Sequence, residues 1–206
     1  PVSWSLISVA VPRLRPARSG LEGTPHAVTD DDVKKITAVY RLSVPSAGVV
    51  VSTREPAQLR SFLIRAGASQ LSAASRTNPG GYAGKGDALE QFSTNDKRTL
   101  HEVLSSVADE GLLPSLCTTC YRVGRVGRDF TEKTIAGEMN KFCQANAILT
   151  LREYSLDQRG SGNGDELKTL DKTIASSIDE VKDPAIKKTL LEKLQELEKG
   201  KRDLFF

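Results

Sequence analysis

The sequence predicts an α/β fold, a partial (β/α) barrel followed by a mainly helical C-terminal domain, and three observations carry that prediction. Two runs rich in small, apolar or β-branched residues, 48–52 and 69–74, alternate with amphipathic helical segments at the spacing of strand–helix units. The last third of the chain carries helical periodicity only. Between these parts lies every cysteine of the protein: Cys117, Cys120 and Cys143.

Taken in order, the apolar opening at 2–11 lacks a basic start and runs into Pro12 and Arg13, so it reads as a buried strand rather than a signal peptide, with 9–11 its core. Pro12 and Pro16 forbid regular structure, and Arg13 and Arg15 are expected to project from the loop between them. Residues 18–24 form a polar loop. Thr29 then caps a helix with Asp30, Asp31 and Asp32 at its positive end and Val33, Ile36, Val39 and Tyr40 on one face. Pro45 and Gly48 stop it.

Residues 48–52, Gly-Val-Val-Val-Ser, have the composition of a central strand buried on both faces. Pro56 suits the first turn of the next helix, whose stripe of Leu59, Phe62, Leu63 and Ala66 ends at Gly67. A strand over 69–74, a turn over 75–82 and a Gly-rich polar loop over 83–95 follow. Residues 97–108 read as a helix with Leu100, Val103, Leu104 and Val107 inward. In parallel α/β folds the strand C-terminal ends carry chemistry, and Arg13, Arg15, Ser52, Arg54, Ser72, Ser75 and Arg76 fall at such ends. Polar residues follow buried strands in any fold, so this convergence alone assigns no site. A complete eightfold barrel takes about 250 residues, so roughly three strand–helix units make an incomplete one.

Further on, 148–156 starts a helix and 160–164 is a flexible break. Helices over 166–181 (Leu167, Leu170, Ile174, Ile178) and 184–198 (Ile186, Leu190, Leu191, Leu194, Leu197) read as an antiparallel pair.

A net charge of +3, with no run of Lys and Arg interleaved with aromatics, argues against a nucleic-acid partner. No window approaches the roughly 18 apolar residues of a membrane span. Three cysteines make no even disulfide framework, which points to a reducing compartment. The first residue is Pro1 rather than Met, and the expectation is a fragment.

Cys117-Thr118-Thr119-Cys120 can point two sulfurs at one metal or cluster, and Cys143, after 22 intervening residues, closes the site when its loop folds back. Structural zinc wants four protein ligands, whereas an iron-sulfur cluster held by three thiolates leaves one iron open. Arg122, Arg125 and Arg128 would lower thiol pKa values, and Gly124 and Gly127 would let backbone N–H groups approach sulfur. The same run also fits a solvated basic loop. A redox pair is disfavoured because an irregular connector, 111–115, precedes it. Neither histidine has metal-ligand spacing to a cysteine: His101 flanks the apolar stripe of a helix, and His26 sits in a loop.

The succession Val-Pro-Arg-Leu-Arg-Pro-Ala at 11–17, Val-Ser-Thr-Arg-Glu-Pro at 51–56, Gly-Ala-Ser-Gln-Leu-Ser-Ala at 67–73, Ser-Arg-Thr-x-x-Gly-Gly-Tyr at 75–82 and Gln-Phe at 91–92 resembles the C-terminal half of the radical SAM tyrosine lyases. Pro114 through Cys120, Tyr121-Arg122-x-Gly-Arg, the gap to Cys143 and the helical tail resemble the FeFe-hydrogenase maturases among them. The 2-iminoacetate synthases are similar only up to the cysteine region.

The resemblance implies that 1–110 is the C-terminal part of a radical SAM TIM-type barrel and 111–206 an auxiliary iron-sulfur cluster-binding helical domain. It implies an auxiliary 4Fe-4S cluster on Cys117, Cys120 and Cys143, its open iron bridging to an additional iron that carries a cysteine. Ser52, Arg54, Ser72 and Ser75 would contact substrate, with Arg54 facing a carboxylate of tyrosine or SAM. The family splits tyrosine to p-cresol and dehydroglycine and yields CO and cyanide for the hydrogenase H-cluster. It works with a hydrogenase maturation scaffold protein, in bacterial cytoplasm or in a hydrogenosome or plastid.

Two departures stand out. The Cys-x3-Cys-x2-Cys motif for the SAM-bound 4Fe-4S cluster is absent, so the chain alone should not cleave S-adenosyl-L-methionine. The histidine expected just before Val11 for the extra iron is missing from Trp4-Ser5-Leu6-Ile7-Ser8. Half a barrel would also expose strand edges. The competing reading is a non-catalytic three-cysteine module that carries zinc or iron-sulfur and docks a partner with its helical tail.

Overall fold

The computed structural model describes residues 7–16, 26–84, 90–160 and 164–206. Expectations for 2–6, for the loop at 18–24, for 85–89 and for 161–163 lie outside the described residues. The described part is a mixed α/β structure, mostly helical, with one three-stranded parallel sheet, and it forms two compact units, Ile7–Leu100 and His101–Phe206.

In the first unit β1 (Ser8–Ala10), β2 (Gly48–Val51) and β3 (Gln70–Leu71) lie side by side in that order, all parallel, with Val9 opposite Val49 and Val50 opposite Gln70. Helix α1 (Asp30–Ser43) connects the first two strands, and α2 (Ala57–Arg65) the second and third. Thr29 starts α1 through a full capping box: its hydroxyl accepts from the Asp32 amide at 3.2 Å, and the Asp32 carboxylate accepts from the Thr29 amide at 2.9 Å. Val33, Val49, Val51, Leu59, Leu63 and Ala68 form the core, with Tyr40 and Leu71 packed against it.

Several expectations change here. Val49 and Val51 are buried but Gly48 and Val50 only half-buried, so β2 has one fully buried face rather than two. The third strand is two residues long rather than 69–74. Val39, 57% exposed, leaves the inward face to Val33 and Thr37; it lies six residues beyond Val33, about 240° round the helix, whereas Thr37 is one turn on. Phe62 is also exposed, and its ring lies 5.1 Å beneath the Lys34 ammonium.

Arg41 closes both connections of the sheet. It donates to the carbonyls of Pro45 (2.8 Å) and Ala47 (3.0 Å), and from Nε and Nη2 to the carbonyl of Gly67 (3.0 and 2.6 Å). Gly67 sits at φ +114°, and a Cβ there would meet Arg41 Cγ at 2.8 Å.

The second unit holds α3 (Leu100–Asp109) from its second residue on, the short α4 (Thr119–Arg122), α5 (Gly127–Ile135), α6 (Glu138–Asp157), α7 (Gly164–Asp179) and α8 (Pro184–Glu198). Helices α7 and α8 both pack on α6, through Ile148, Leu149, Leu151, Leu170, Leu190 and Leu197, all at most 1% exposed. Helix α6 starts ten residues earlier than the expected 148. Five consecutive residues, Ala145 to Leu149, are buried, so the helix has no polar stripe to betray its period. Asp183 caps α8, accepting from the amides of Ala185 and Ile186 at 3.0 and 3.2 Å. Leu191, expected inward, is exposed.

Candidate functional site

The cysteines sit on two kinds of support. Cys117 ends an extended connector, its amide donating to the Ser115 hydroxyl at 3.2 Å, and Cys120 lies in α4. Cys143 lies in the second turn of α6, not in the loop expected. Around Cys117 the buried Thr119 makes a local clasp: its amide donates to Cys117 Sγ at 3.4 Å, and the thiol donates to its hydroxyl at 3.2 Å. Gly124, at φ +72°, reverses the chain after α4, and the Arg125 amide closes the turn on the Cys120 carbonyl at 2.8 Å. The amide brought to sulfur is thus Thr119's, while Gly124 turns the chain and Gly127 opens α5.

The three arginines divide their work. Arg122 pairs with Asp203, and Arg128 pairs with Glu132 one turn along α5 at 2.6 Å. Only Arg125 acts on the thiols, its charge pulling Cys120 and Cys143 downward. Burial outweighs it and raises both; the Cys117 thiol adds to the rise at Cys120, and Cys120 and Cys117 add to it at Cys143. Cys120 thus feels Cys117, and Cys143 feels both, as like charges on ionisation, a repulsion that a bound cation or cluster relieves. Among the described residues no group of three or more His, Cys, Asp or Glu side chains is gathered to metal-holding distance. The donor chemistry fits an iron-sulfur or zinc centre: soft thiols, an amide aimed at sulfur and one offsetting cation. His26 is exposed in the sheet-bearing unit, and His101 half-buried on α3.

In the sheet-bearing unit, Ser52 follows β2 and its hydroxyl accepts from the Arg54 amide at 3.3 Å. The Arg54 guanidinium lies 3.8 Å from the centroid of Phe92, a cation–π contact that holds it over the ring. The Ser72 amide donates to the Val51 carbonyl at 3.1 Å, and its own carbonyl accepts from Arg60; Ser75 is half-buried beyond β3. Arg13 does not project as expected. It is 9% exposed and donates to Val28 O (3.1 Å), Asp30 (2.7 Å) and Glu55, which Arg15 also reaches at 3.2 Å. A second buried pair joins Arg60 to Asp96, which Arg98 also holds at 2.7 Å. Burial pushes Asp96 upward, but hydrogen bonds from the Arg98 side chain and amide and the charge of Arg60 outweigh it and hold the carboxyl at about 2.

Glu55, Arg60 and Asp96 are the functional-looking residues that sequence reasoning missed. One signal was present: Arg13 and Arg15, two apart in an extended segment, point to the same side and call for a shared acid.

Residues 10–113 match the family of the Biotin and Thiamin Synthesis associated domain. The 2-iminoacetate synthases of Salmonella typhimurium and Escherichia coli are 39% and 37% identical over 111 residues, 53% of this chain and 29% of each of theirs. A crystal structure of HydG, described as a maturase of the FeFe-hydrogenase, superposes with a TM-score of 0.87 at 38% identity, over 97% of this chain and 43% of its own. The HydG of Carboxydothermus hydrogenoformans does so with 0.69 at 32% identity, over 91% and 39%. The chain thus spans less than a third of the curated relatives and under half of the solved maturases.

Proposed function

Because this chain belongs to the family of Biotin and Thiamin Synthesis associated domains, we propose that it is the C-terminal portion of a radical SAM tyrosine lyase of the hydrogenase-maturase kind, carrying its auxiliary-cluster site. The observation that carries the reading is the 97% coverage by the HydG structure, which takes in the cysteine-bearing helices; the synthases align over only 53%. In this reading the first unit is the closing part of a (β/α) barrel, and the second is the iron-sulfur domain.

Cys117, Cys120 and Cys143 would hold a 4Fe-4S cluster. Such a cluster on three thiolates offers one iron to an exogenous ligand. Burial keeps Cys120 and Cys143 protonated at neutral pH, so loading releases protons and is favoured as pH rises. The Thr119 amide and the Arg125 charge then stabilise the thiolate form. Arg54, held over Phe92, would offer its fork to the carboxylate of an amino-acid substrate, tyrosine in the family, and Ser52, Ser72 and Ser75, which follow β2 and β3, would add contacts to that substrate. All three thiols are then assigned, which leaves none for a SAM-binding cluster. Tyrosine cleavage, with CO and cyanide supplied to the H-cluster on a maturation scaffold protein, belongs to the full-length enzyme in a reducing compartment. Among the described residues no helix is long and apolar enough to cross a membrane.

The test is anaerobic iron-sulfur reconstitution with iron and sulfide counts and EPR of the reduced protein, alongside Cys143→Ala. About four irons per chain, with a signal lost in the variant, supports the reading. Stoichiometric zinc without sulfide would sink it in favour of a binding module.

A further inference from the structure

The segment after α8 is irregular, yet its contacts run to two places at once. Asp203, at φ +65°, receives both terminal nitrogens of Arg122, Nη2 reaching Oδ2 at 2.6 Å. Its own amide donates to Glu153 of α6 at 2.8 Å. Three residues on, Phe206 repeats the pattern: its carbonyl accepts from Arg125 at 3.2 Å, and its amide donates to Asn146 of α6 at 2.8 Å.

Arg122 and Arg125 follow Cys120 by two and five residues, and the Arg125 amide is bonded to the Cys120 carbonyl. Asn146 follows Cys143 by three residues and so shares its side of the helix. Each cross-link has one foot on the arm that bears Cys117 and Cys120 and the other on the helix that bears Cys143. Aromatic contacts reinforce both. Phe205 lies 5.1 Å from the Arg122 guanidinium, and the Phe206 ring is 6.3 Å from Phe142, over which Arg125 also sits at 5.7 Å.

We propose that Asp203 and Phe206 are positioning residues for the three-cysteine centre, holding the Cys-x-x-Cys arm at a fixed distance from Cys143. The proposal rests on the reading of these cysteines as cluster ligands. It adds that affinity is set by a tail some sixty residues from the last ligand. The charge pair is exposed and adds little to stability; its work is geometric. Partners that orient metal ligands are commonly worth ten- to a hundred-fold in retention.

The experiment follows iron release to an excess of ferrous chelator from the reconstituted 206-residue chain, with EPR of the reduced state and circular dichroism of each variant. Asp203→Ala should release iron about ten-fold faster than wild type with its helical signal intact. Arg128→Ala, whose partner lies within its own helix, should release at the wild-type rate. The exchange Arg122→Asp with Asp203→Arg should slow release back toward wild type. Wild-type release from Asp203→Ala overturns the proposal, and so does an exchange that fails to rescue, including where the single variant loses helix. A wild-type chain that takes up no iron or sulfide is seen before any variant is compared, and it defeats the cluster reading together with this one.

Discussion

In the sheet-bearing unit two charge pairs are inside: the side chains of Arg60 and Asp96 are each 1% exposed, and those of Arg13 and Glu55 8% and 3%. In the helical unit the pairs lie nearer the surface, with Arg122 and Asp203 at 44% and 61% and Arg128 and Glu132 at 74% and 55%, over an aliphatic core. The difference follows from the backbone. Helices satisfy their own amides and carbonyls, so their packed faces can be purely apolar. The ends of parallel strands open into irregular loops, and here buried guanidiniums tie those loops together through Ser72 O, Val28 O and two acids. Stability in one unit should hang on a few polar contacts, and in the other on volume.

The strongest way to break that contrast is Asp96→Ala, which strands the Arg60 charge in the interior. About 3–5 kcal/mol should be lost in urea unfolding, and a loss no larger than that of an exposed pair would dissolve the distinction. Leu149→Ala attacks the other unit where it is densest. At 0% exposure the truncation should cost about 3 kcal/mol by the same assay; a cost under about 1 kcal/mol would mean that this core is loosely filled.

Acid sharpens the first result. The folded Asp96 carboxyl titrates at about 2, below its ordinary 3.8, so its contribution of about 2 kcal/mol is present above pH 4 and disappears as pH falls toward 2. The stability gap between wild type and Asp96→Asn should therefore shrink over that interval, and a gap independent of pH would contradict it. Smallest of all, Arg128→Ala removes an exposed i,i+4 pair and should shift stability by less than about 0.5 kcal/mol.

Local signals made much of this legible. The capping box at Thr29, the valine run at 48–51 and the Asp183-Pro184 start of α8 are each written within a few residues, and the structure has all three. What depended on partners far along the chain was not readable. Glu55 meets Arg13 across 42 positions and Asp96 meets Arg60 across 36, and even the Arg13/Arg15 pair does not say which distant acid it meets. Val39 and Phe62 show the limit of apolar identity, since each is hydrophobic yet turned to solvent by the angle of its turn. The cysteines stood out by spacing alone, but that Cys143 rides a helix, and that the chain returns 81 residues later to Arg122 and Arg125, has no trace in composition.

Arg41 joins both crossovers of the sheet-bearing unit. Its guanidinium holds Pro45 O and Ala47 O from the α1–β2 connection and Gly67 O from the α2–β3 connection. The full set of acceptors exists only once both crossovers have closed. In kinetic language that predicts a late contact, one with a φ-value near zero. Bonds of that kind would be a latch on the way out, slowing unfolding while leaving the rate of folding almost untouched.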